Sequence, residues 1–138
     1  MVEALPMTDE QDPDIERAMA LLGPLEGRVM RAVWTGEVTE TFVVRDVQTL
    51  MPQLAYTTVM TTLRRLADKG LLTAKAEPGR RAHEYRAAGT AADYLARASH
   101  DEAAQFVARY GDAALSAFAR RLADLTPEQR RRLEDLAQ

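Results

Sequence analysis

The stretch "YTTVMTTLRRLADKG", residues 56–70, has the apolar period of a helix, and that period changes directly after it. Val59, Leu63 and Leu66 fall in one narrow sector of a helical wheel, and Gly70 stands just past the end, where a left-handed C-cap is favoured. In the residues that follow, the apolar period shortens towards two, which is typical of strands. A short amphipathic helix joined directly to strands restricts the chain to a mixed helix and hairpin architecture.

Residues 71–87 are predicted to form two short strands around the turn "EPGR" (77–80). The proline of this turn presets its φ angle and the glycine supplies a positive φ, as a type II turn requires. Arg80 and Arg81 then stand at the tip of the hairpin, where they are expected to contact DNA.

Two further short helices are predicted before this stretch. The first begins at Pro24, and the second spans "VVRDVQTLM" (43–51) until Pro52 ends it. Three helices followed by a hairpin is the element order of a winged helix-turn-helix. The predicted fold class is therefore mainly α with a small β-hairpin wing, over residues 18–88, and an acidic, flexible N-terminal tail is expected at 1–17.

The four threonines in the first two turns of the 56–70 helix need a reason other than helix stability, because threonine has a low helix propensity. A recognition helix enters the major groove by its N-terminal residues, where a threonine can approach closely, bond a base edge and touch a thymine methyl. This helix is therefore predicted to read double-stranded DNA. The candidate DNA-binding residues on its polar face and flanks are Thr57, Thr58, Met60, Thr61, Arg64 and Arg65.

The charge distribution supports a nucleic-acid partner although the formal net charge of the chain is −3. Residues 56–86 carry seven Lys and Arg against three Asp and Glu, whereas residues 1–27 carry one against seven. Attraction to phosphate acts over a Debye length of ~8 Å at physiological salt, so a local basic patch matters more than the net charge.

Residues 89–138 are predicted to form a helical dimerisation region. A capping box at Thr90 and Asp93 starts its first helix, Gly111 separates the first from the second, and Thr126 caps the third. The apolar stripes of these helices are too narrow for a second core, so we expect them to pack on a second copy in a homodimer that reads a palindrome. The residues assigned to dimerisation are Phe106, Val107, Tyr110, Leu115, Phe118, Leu122, Leu133 and Leu136.

Composition argues against other chemistries. The chain has no cysteine, and its two histidines, His83 and His100, are far apart, which disfavours disulfide, thiolate and zinc chemistry. No pair of nucleophile and base is recognisable by spacing, so we expect no enzymatic activity, no cofactor and no metal. No apolar run approaches the ~18 residues of a membrane span, and the acidic N-terminus is unlike a signal peptide, so a cytoplasmic protein without membrane contact is expected.

Three blocks of the sequence resemble the BlaI/MecI/CopY family of bacterial repressors, the penicillinase-repressor type. The blocks are "LGPLEGRVMRAVW" (22–34), "LAYTTVMTTLRRLADKGLL" (54–72) and "RAHEYRA" (81–87). The resemblance implies a winged-helix DNA-binding domain followed by a dimerisation region, and an operator with TACA/TGTA-like half-sites. It places base reading at the start of the 56–70 helix, with phosphate contacts from the two arginines, Arg64 and Arg65. The cysteine motifs of the copper-responsive branch are absent, which argues against copper sensing.

The resemblance also implies a way to relieve repression. In the penicillinase-repressor branch, a signal from a membrane sensor-protease leads to cleavage of an Asn-Phe bond in the dimerisation region. The nearest equivalent here is the bond between Ala117 and Phe118, where the asparagine is missing. A sensor-linked protease is accordingly a possible partner.

Two alternatives remain open at the level of sequence. The first is a ligand-responsive winged-helix regulator of the MarR or PadR type, against which the low aromatic content of 6% argues. The second is a winged-helix protein-interaction module, which would lack any salt-dependent affinity for DNA.

Overall fold

The computed structural model describes residues 12–76 and 83–138, and within these ranges the chain forms seven helices and two strands. The described residues up to Arg97 cluster as one compact unit and Ala98–Gln138 as a second. The elements, in chain order, are α1 Pro13–Ala20, α2 Pro24–Trp34, α3 Val44–Leu50, α4 Tyr56–Asp68, β1 Leu72–Ala76, β2 His83–Ala87, α5 Ala91–Tyr110, α6 Asp112–Ala123 and α7 Pro127–Leu136.

Helix α1 begins inside the segment that the sequence analysis assigned to a flexible tail. The Asp12 side chain caps it by accepting a hydrogen bond from the backbone N–H two residues later (2.8 Å), and a proline occupies the first turn. Ile15 and Ala18 are fully buried in the core of the first unit. A flexible tail is therefore wrong for residues 13–17, because burial of apolar side chains stabilises a helix there despite the acidic composition. Residues 1–11 lie outside the described residues.

The predicted helices α2 and α3 are confirmed. Helix α2 starts at Pro24 as expected. In α3, Val44 and Val47 are buried, and Met51 at the C-cap turns inward while Leu50 stays exposed. At the end of α3, the buried residue is therefore Met51, which directly precedes Pro52, the proline that ends the helix.

Helix α4 has the division of faces that its sequence predicts. Val59, Leu63 and Leu66 are fully buried, and they attach the helix to the core along one side only. Gly70 adopts a φ of 81°, and the N–H of Leu71 reaches back to the Leu66 carbonyl (2.9 Å). This is a Schellman ending, in which glycine takes the left-handed conformation without a Cβ penalty.

The wing is a two-stranded antiparallel sheet with one additional bridge. β1 and β2 pair in a register that places Leu72 opposite Ala87. Phe42 pairs with Tyr85 through two backbone hydrogen bonds of 2.9 and 2.7 Å, so a single residue serves as a third strand. The sequence analysis did not predict this bridge. The predicted "EPGR" turn falls within residues 77–82, outside the described residues.

The predicted capping residues of the later helices are confirmed. The backbone N–H of Thr90 donates to the Asp93 carboxylate (2.9 Å), and the N–H of Asp93 donates to the Thr90 hydroxyl (3.1 Å). Hydrogen bonding to the carboxylate from the Thr90 backbone N–H, and also from the Thr90 side chain, holds the pKa of Asp93 below its ordinary value. Gly111, with a φ of 59°, separates α5 from α6, and the Thr126 hydroxyl caps α7 by accepting from the N–H of Gln129 (3.1 Å).

The fold class is confirmed as a winged helix followed by further helices. The sequence analysis placed the domain boundary after residue 88, whereas the first compact unit continues into α5. Ala91 is buried, and Tyr94 and Leu95 pack against the core of that unit. Among the described helices, none combines the length and the apolar character that crossing a bilayer requires.

Candidate nucleic-acid interface

The side of α4 turned away from the core carries three exposed threonines followed by two exposed arginines. We call this surface the α4 outer face, and its residues are Thr57, Thr58, Thr61, Arg64 and Arg65. The hydroxyls can donate or accept hydrogen bonds, and the guanidinium groups donate to phosphate. The structure therefore brings five of the six residues predicted for this helix onto one accessible surface.

The fourth threonine of the helix, Thr62, is not part of the α4 outer face. Thr62 is buried, and its hydroxyl donates to the carbonyl of Thr58 one turn earlier (2.8 Å). A threonine in a helix can satisfy its hydroxyl in this way without a solvent or ligand partner. The four threonines of this stretch are thus three exposed residues and one buried residue whose hydroxyl is satisfied within the helix.

Met60 and Tyr56 lie at the edges of the buried side of α4, and they differ in exposure. Met60 is half-buried and packs against the core, so it lies at the margin of the α4 outer face. Tyr56 is 41% exposed at the first position of α4, although on a helical wheel it falls at the margin of the sector of Val59, Leu63 and Leu66. A side chain in the first turn of a helix is not covered by a preceding turn, and a helical wheel does not show this effect of the helix end.

Strand β2 lies next to α4 through Tyr85. Burial raises the pKa of the Tyr85 phenol, and the positive charge of Arg64 opposes that rise. Tyr56 and Asp68 act in the same direction as burial. The positive charge of Arg64, on the α4 outer face, therefore acts on Tyr85 of strand β2.

The wing adds further positive charge. Lys75 and Arg86 are exposed along a surface groove of about 300 Å³ that also includes Thr73. Arg86 forms an ion pair with Glu40 (2.8 Å), which neutralises part of its charge. The predicted tip residues Arg80 and Arg81 fall outside the described residues.

In the second unit, seven of the eight residues predicted for dimerisation are exposed. Val107 is the exception and is half-buried. The Phe106 ring contacts the rings of Tyr110 and Phe118, with centroids 5.1 and 5.4 Å apart. The exposed residues are Phe106, Tyr110, Leu115, Phe118, Leu122, Leu133 and Leu136.

The predicted cleavage bond lies in the middle of α6. Ala117 is half-buried, and Phe118 is 38% exposed. Both residues are within the regular hydrogen bonding of the helix. Proteolysis of this bond requires local opening of α6.

The two histidines lie on β2 and α5, and neither belongs to α4. His83 starts β2 and is exposed, and His100 is exposed on α5, where its Nδ1 lies 3.8 Å from Asp101. Over residues 12–76 and 83–138, no group of three or more His, Asp and Glu side chains is arranged to hold a metal ion.

Comparison with known families gives a match that covers most of the chain. The family model described as penicillinase repressor matches residues 22–138, which span every element from α2 to α7. No similar sequence was found among curated proteins. Helix α1 lies before the matched range. Because the match covers most of the chain and the winged helix has the architecture that the match implies, the chain belongs to the penicillinase repressor family of DNA-binding transcriptional repressors.

Proposed function

We propose that the protein is a homodimeric repressor that occludes promoters by reading a palindromic operator. Each protomer inserts the N-terminal half of α4 into a major groove, and the two grooves are one helical turn, about 34 Å, apart. The resemblance to the BlaI/MecI/CopY family suggests TACA/TGTA-like half-sites. The protein acts in the cytoplasm, where bacterial DNA lies.

The α4 outer face is the observation that carries this proposal. Its threonines occupy the first two turns and its arginines come after them, on a helix whose opposite side is fully buried. Short hydroxyl side chains let the helix approach base edges, and the following arginines are spaced to neutralise phosphates. A solvated helix surface has no requirement for threonine at three exposed positions.

The homodimer is supported by the exposed apolar side chains of the second unit. Monomeric proteins rarely leave a contiguous set of large apolar residues in water. Leu115 is 54% exposed, Leu136 is 69% exposed, and α7 has no buried residue. A two-fold contact would cover these side chains and present two copies of α4 to a symmetric operator.

A sensor-linked protease would relieve repression by breaking the proposed dimer. Cutting between Ala117 and Phe118 divides α6, whose residues Leu115 and Phe118 belong to the proposed dimer contact. Loss of the dimer would remove the advantage of two linked half-sites.

Selection of bound fragments from a random DNA pool by the purified full chain tests the proposal. We expect enriched fragments to contain an inverted repeat with half-sites centred about 10 base pairs apart. Thr57→Ala and Thr61→Ala should change the enriched half-site, whereas Thr39→Ala, an exposed threonine in the loop before α3, should not. Recovery of no fragment above background, with no affinity that falls as salt rises, would instead indicate a protein-interaction module.

A further inference from the structure

The C-terminal end of α4 leaves two backbone carbonyls for a partner outside the helix. The Schellman ending uses the carbonyls of Leu66 and Ala67, which accept from the N–H groups of Leu71 (2.9 Å) and Gly70 (3.0 Å). The carbonyls of Lys69 and Gly70 accept no backbone hydrogen bond within the part of the chain that the structure describes. These oxygens stand at the negative end of the helix dipole, which favours a cation.

Arg97 of α5 supplies that cation. Its Nη2 donates to the Gly70 carbonyl (2.9 Å) and lies 3.5 Å from the Lys69 carbonyl. The guanidinium also lies over the ring of Tyr94, with Cζ 5.8 Å from the ring centroid, which restricts its rotamer. A Cβ at Gly70 would lie 3.0 Å from Nη2, so the glycine permits the close approach as well as the positive φ.

A second group of contacts fixes the start of α5. The indole N–H of Trp34 donates to the Gly89 carbonyl (3.0 Å), and Ala91, two residues later, is buried. Arg97 comes about 9 Å further along the helix axis at 1.5 Å per residue, and it is the last residue of the first compact unit. Helix α5 continues without a break to Tyr110.

The apolar contacts of Ala91, Tyr94 and Leu95 hold the first turns of α5 against the core, and Arg97 adds a directional hydrogen bond to the end of α4 at the next turn. We infer that Arg97 is a positioning residue that fixes the direction of α5 against the end of the recognition helix and thereby restricts the half-site spacing that the dimer accepts. This inference rests on the proposed function, since it requires two copies of α4 on one operator. Arg97 touches no DNA in this role and acts through α4 and α5.

The test compares full-length Arg97→Met, Arg97→Lys and the unaltered protein on three kinds of DNA. These are the selected operator, operators with the half-site spacing changed by one base pair either way, and a fragment with one half-site. Arg109→Met is the matched control, because it removes the same charge from an exposed position on the same helix. Emission of Trp34, the one tryptophan of the chain, reports whether each variant keeps the packing at Gly89.

We expect Arg97→Met to lose about tenfold in affinity for the selected operator and to bind the single half-site within about twofold of the unaltered protein. The affinity of Arg97→Met should therefore differ less between operators of different half-site spacing than that of the unaltered protein does. Arg97→Lys keeps a charged donor for the Gly70 carbonyl and should recover part of the discrimination.

Two outcomes would overturn the inference while leaving the proposed function intact. One is an unchanged spacing profile for Arg97→Met, and the other is an equal loss on one and two half-sites, which would show that Arg97 only stabilises α4. A failure of the unaltered protein to prefer two half-sites over one would instead overturn the proposed function, and the inference with it.

Discussion

Lys69 Nζ lies 2.7 Å from Glu26 Oε1, and this ion pair joins the end of α4 to the first turn of α2. The Glu26 side chain is 10% exposed and also accepts a hydrogen bond from the N–H of Gly23 (3.3 Å). Burial acts to raise the pKa of Glu26, but the hydrogen bonds from Lys69 and Gly23 and the charges of Lys69 and Arg65 outweigh it and hold the pKa below its ordinary value. The folded state therefore favours the ionised carboxylate.

The first prediction concerns the pH dependence of stability. A carboxyl group whose pKa is lowered on folding stabilises the protein above its unfolded pKa, and this contribution is lost as the pH falls through the folded pKa. We expect Glu26→Gln to reduce the free energy of unfolding by about 1 kcal/mol at pH 7, and the difference from the unaltered protein to shrink as the pH falls below the unfolded glutamate pKa of about 4.3. Denaturant unfolding at several pH values measures this difference.

Lys69→Met provides the control for that measurement. It leaves Glu26 buried with the Gly23 N–H but without the ammonium, so the pKa of Glu26 should rise and stability should start to fall at a higher pH. Identical pH profiles for the unaltered protein and Lys69→Met would show that the ion pair does not set the ionisation of Glu26.

The second prediction separates phosphate contacts from base contacts on the α4 outer face. Arg64→Ala should weaken binding to all sequences alike and flatten the slope of log affinity against log salt by about one unit. Thr61→Ala should leave that slope unchanged and alter which half-site is preferred. The same salt effect is predicted for Arg80 and Arg81. Affinities measured over a salt series on two operator sequences test this, and a uniform loss for both Arg64→Ala and Thr61→Ala would contradict the assignment of base reading.

Patterns that repeat over several turns allowed α4 and the later helices to be predicted from the sequence. The sector of Val59, Leu63 and Leu66 fixed which side of α4 is buried, and short capping signatures such as that of Thr126 fixed where helices begin. These features are local, so a few neighbouring residues determine them. Because the exposed side of a helix lies opposite its buried side, the prediction of the buried side also predicted most of the α4 outer face.

Features that depend on single residues or on distant contacts could not be predicted in the same way. Helix α1 has two buried residues, Ile15 and Ala18, among charged neighbours, and that is too short a pattern to stand out. The Phe42 bridge is one residue long and depends on the position of β2. The contact of Arg97 with Gly70 joins residues far apart in sequence and depends on the direction of α5.

The third prediction concerns the limit of the first unit. A fragment that ends after Ser99 keeps Ala91, Tyr94 and Leu95 against the core, so it should be folded and monomeric. A fragment that ends at Gly89 lacks these contacts and should be less stable by about 3 kcal/mol, the cost of exposing two or three apolar side chains. Thermal unfolding and sedimentation of both fragments check this, and equal stability would show that the start of α5 adds nothing to the core.

The fourth prediction concerns the apolar surface of the second unit. Leu115→Glu and Leu136→Glu place a charge at positions that are already exposed in the protomer, so neither should lower protomer stability. Each should weaken self-association at least tenfold, or about 1.4 kcal/mol. Gln105→Glu adds the same charge at an exposed polar position of α5 and should leave association unchanged. Sedimentation equilibrium gives the dissociation constants of the three variants and of the unaltered protein. Equal values would show that Leu115 and Leu136 do not lie in the dimer contact.

The fifth prediction concerns cleavage between Ala117 and Phe118. A cut there divides α6 into two pieces, and helical segments shorter than ~12 residues are marginal in water without tertiary packing. The Phe106 and Phe118 rings, 5.4 Å apart, would then belong to separate polypeptides. We expect the dimer to dissociate and operator affinity to fall by about two to four orders of magnitude.

A specific protease site placed at this bond tests that expectation directly, with operator release followed during digestion. The uncut engineered protein is one control, and a second carries the site between α6 and α7, near Leu125, where a cut leaves α6 whole. Release on cutting within α6, but less on cutting near Leu125, would identify α6 as the element on which dimerisation depends. A protein nicked after Ala117 that keeps full dimeric affinity would contradict the mechanism, because the two half-sites would then remain linked despite the broken helix.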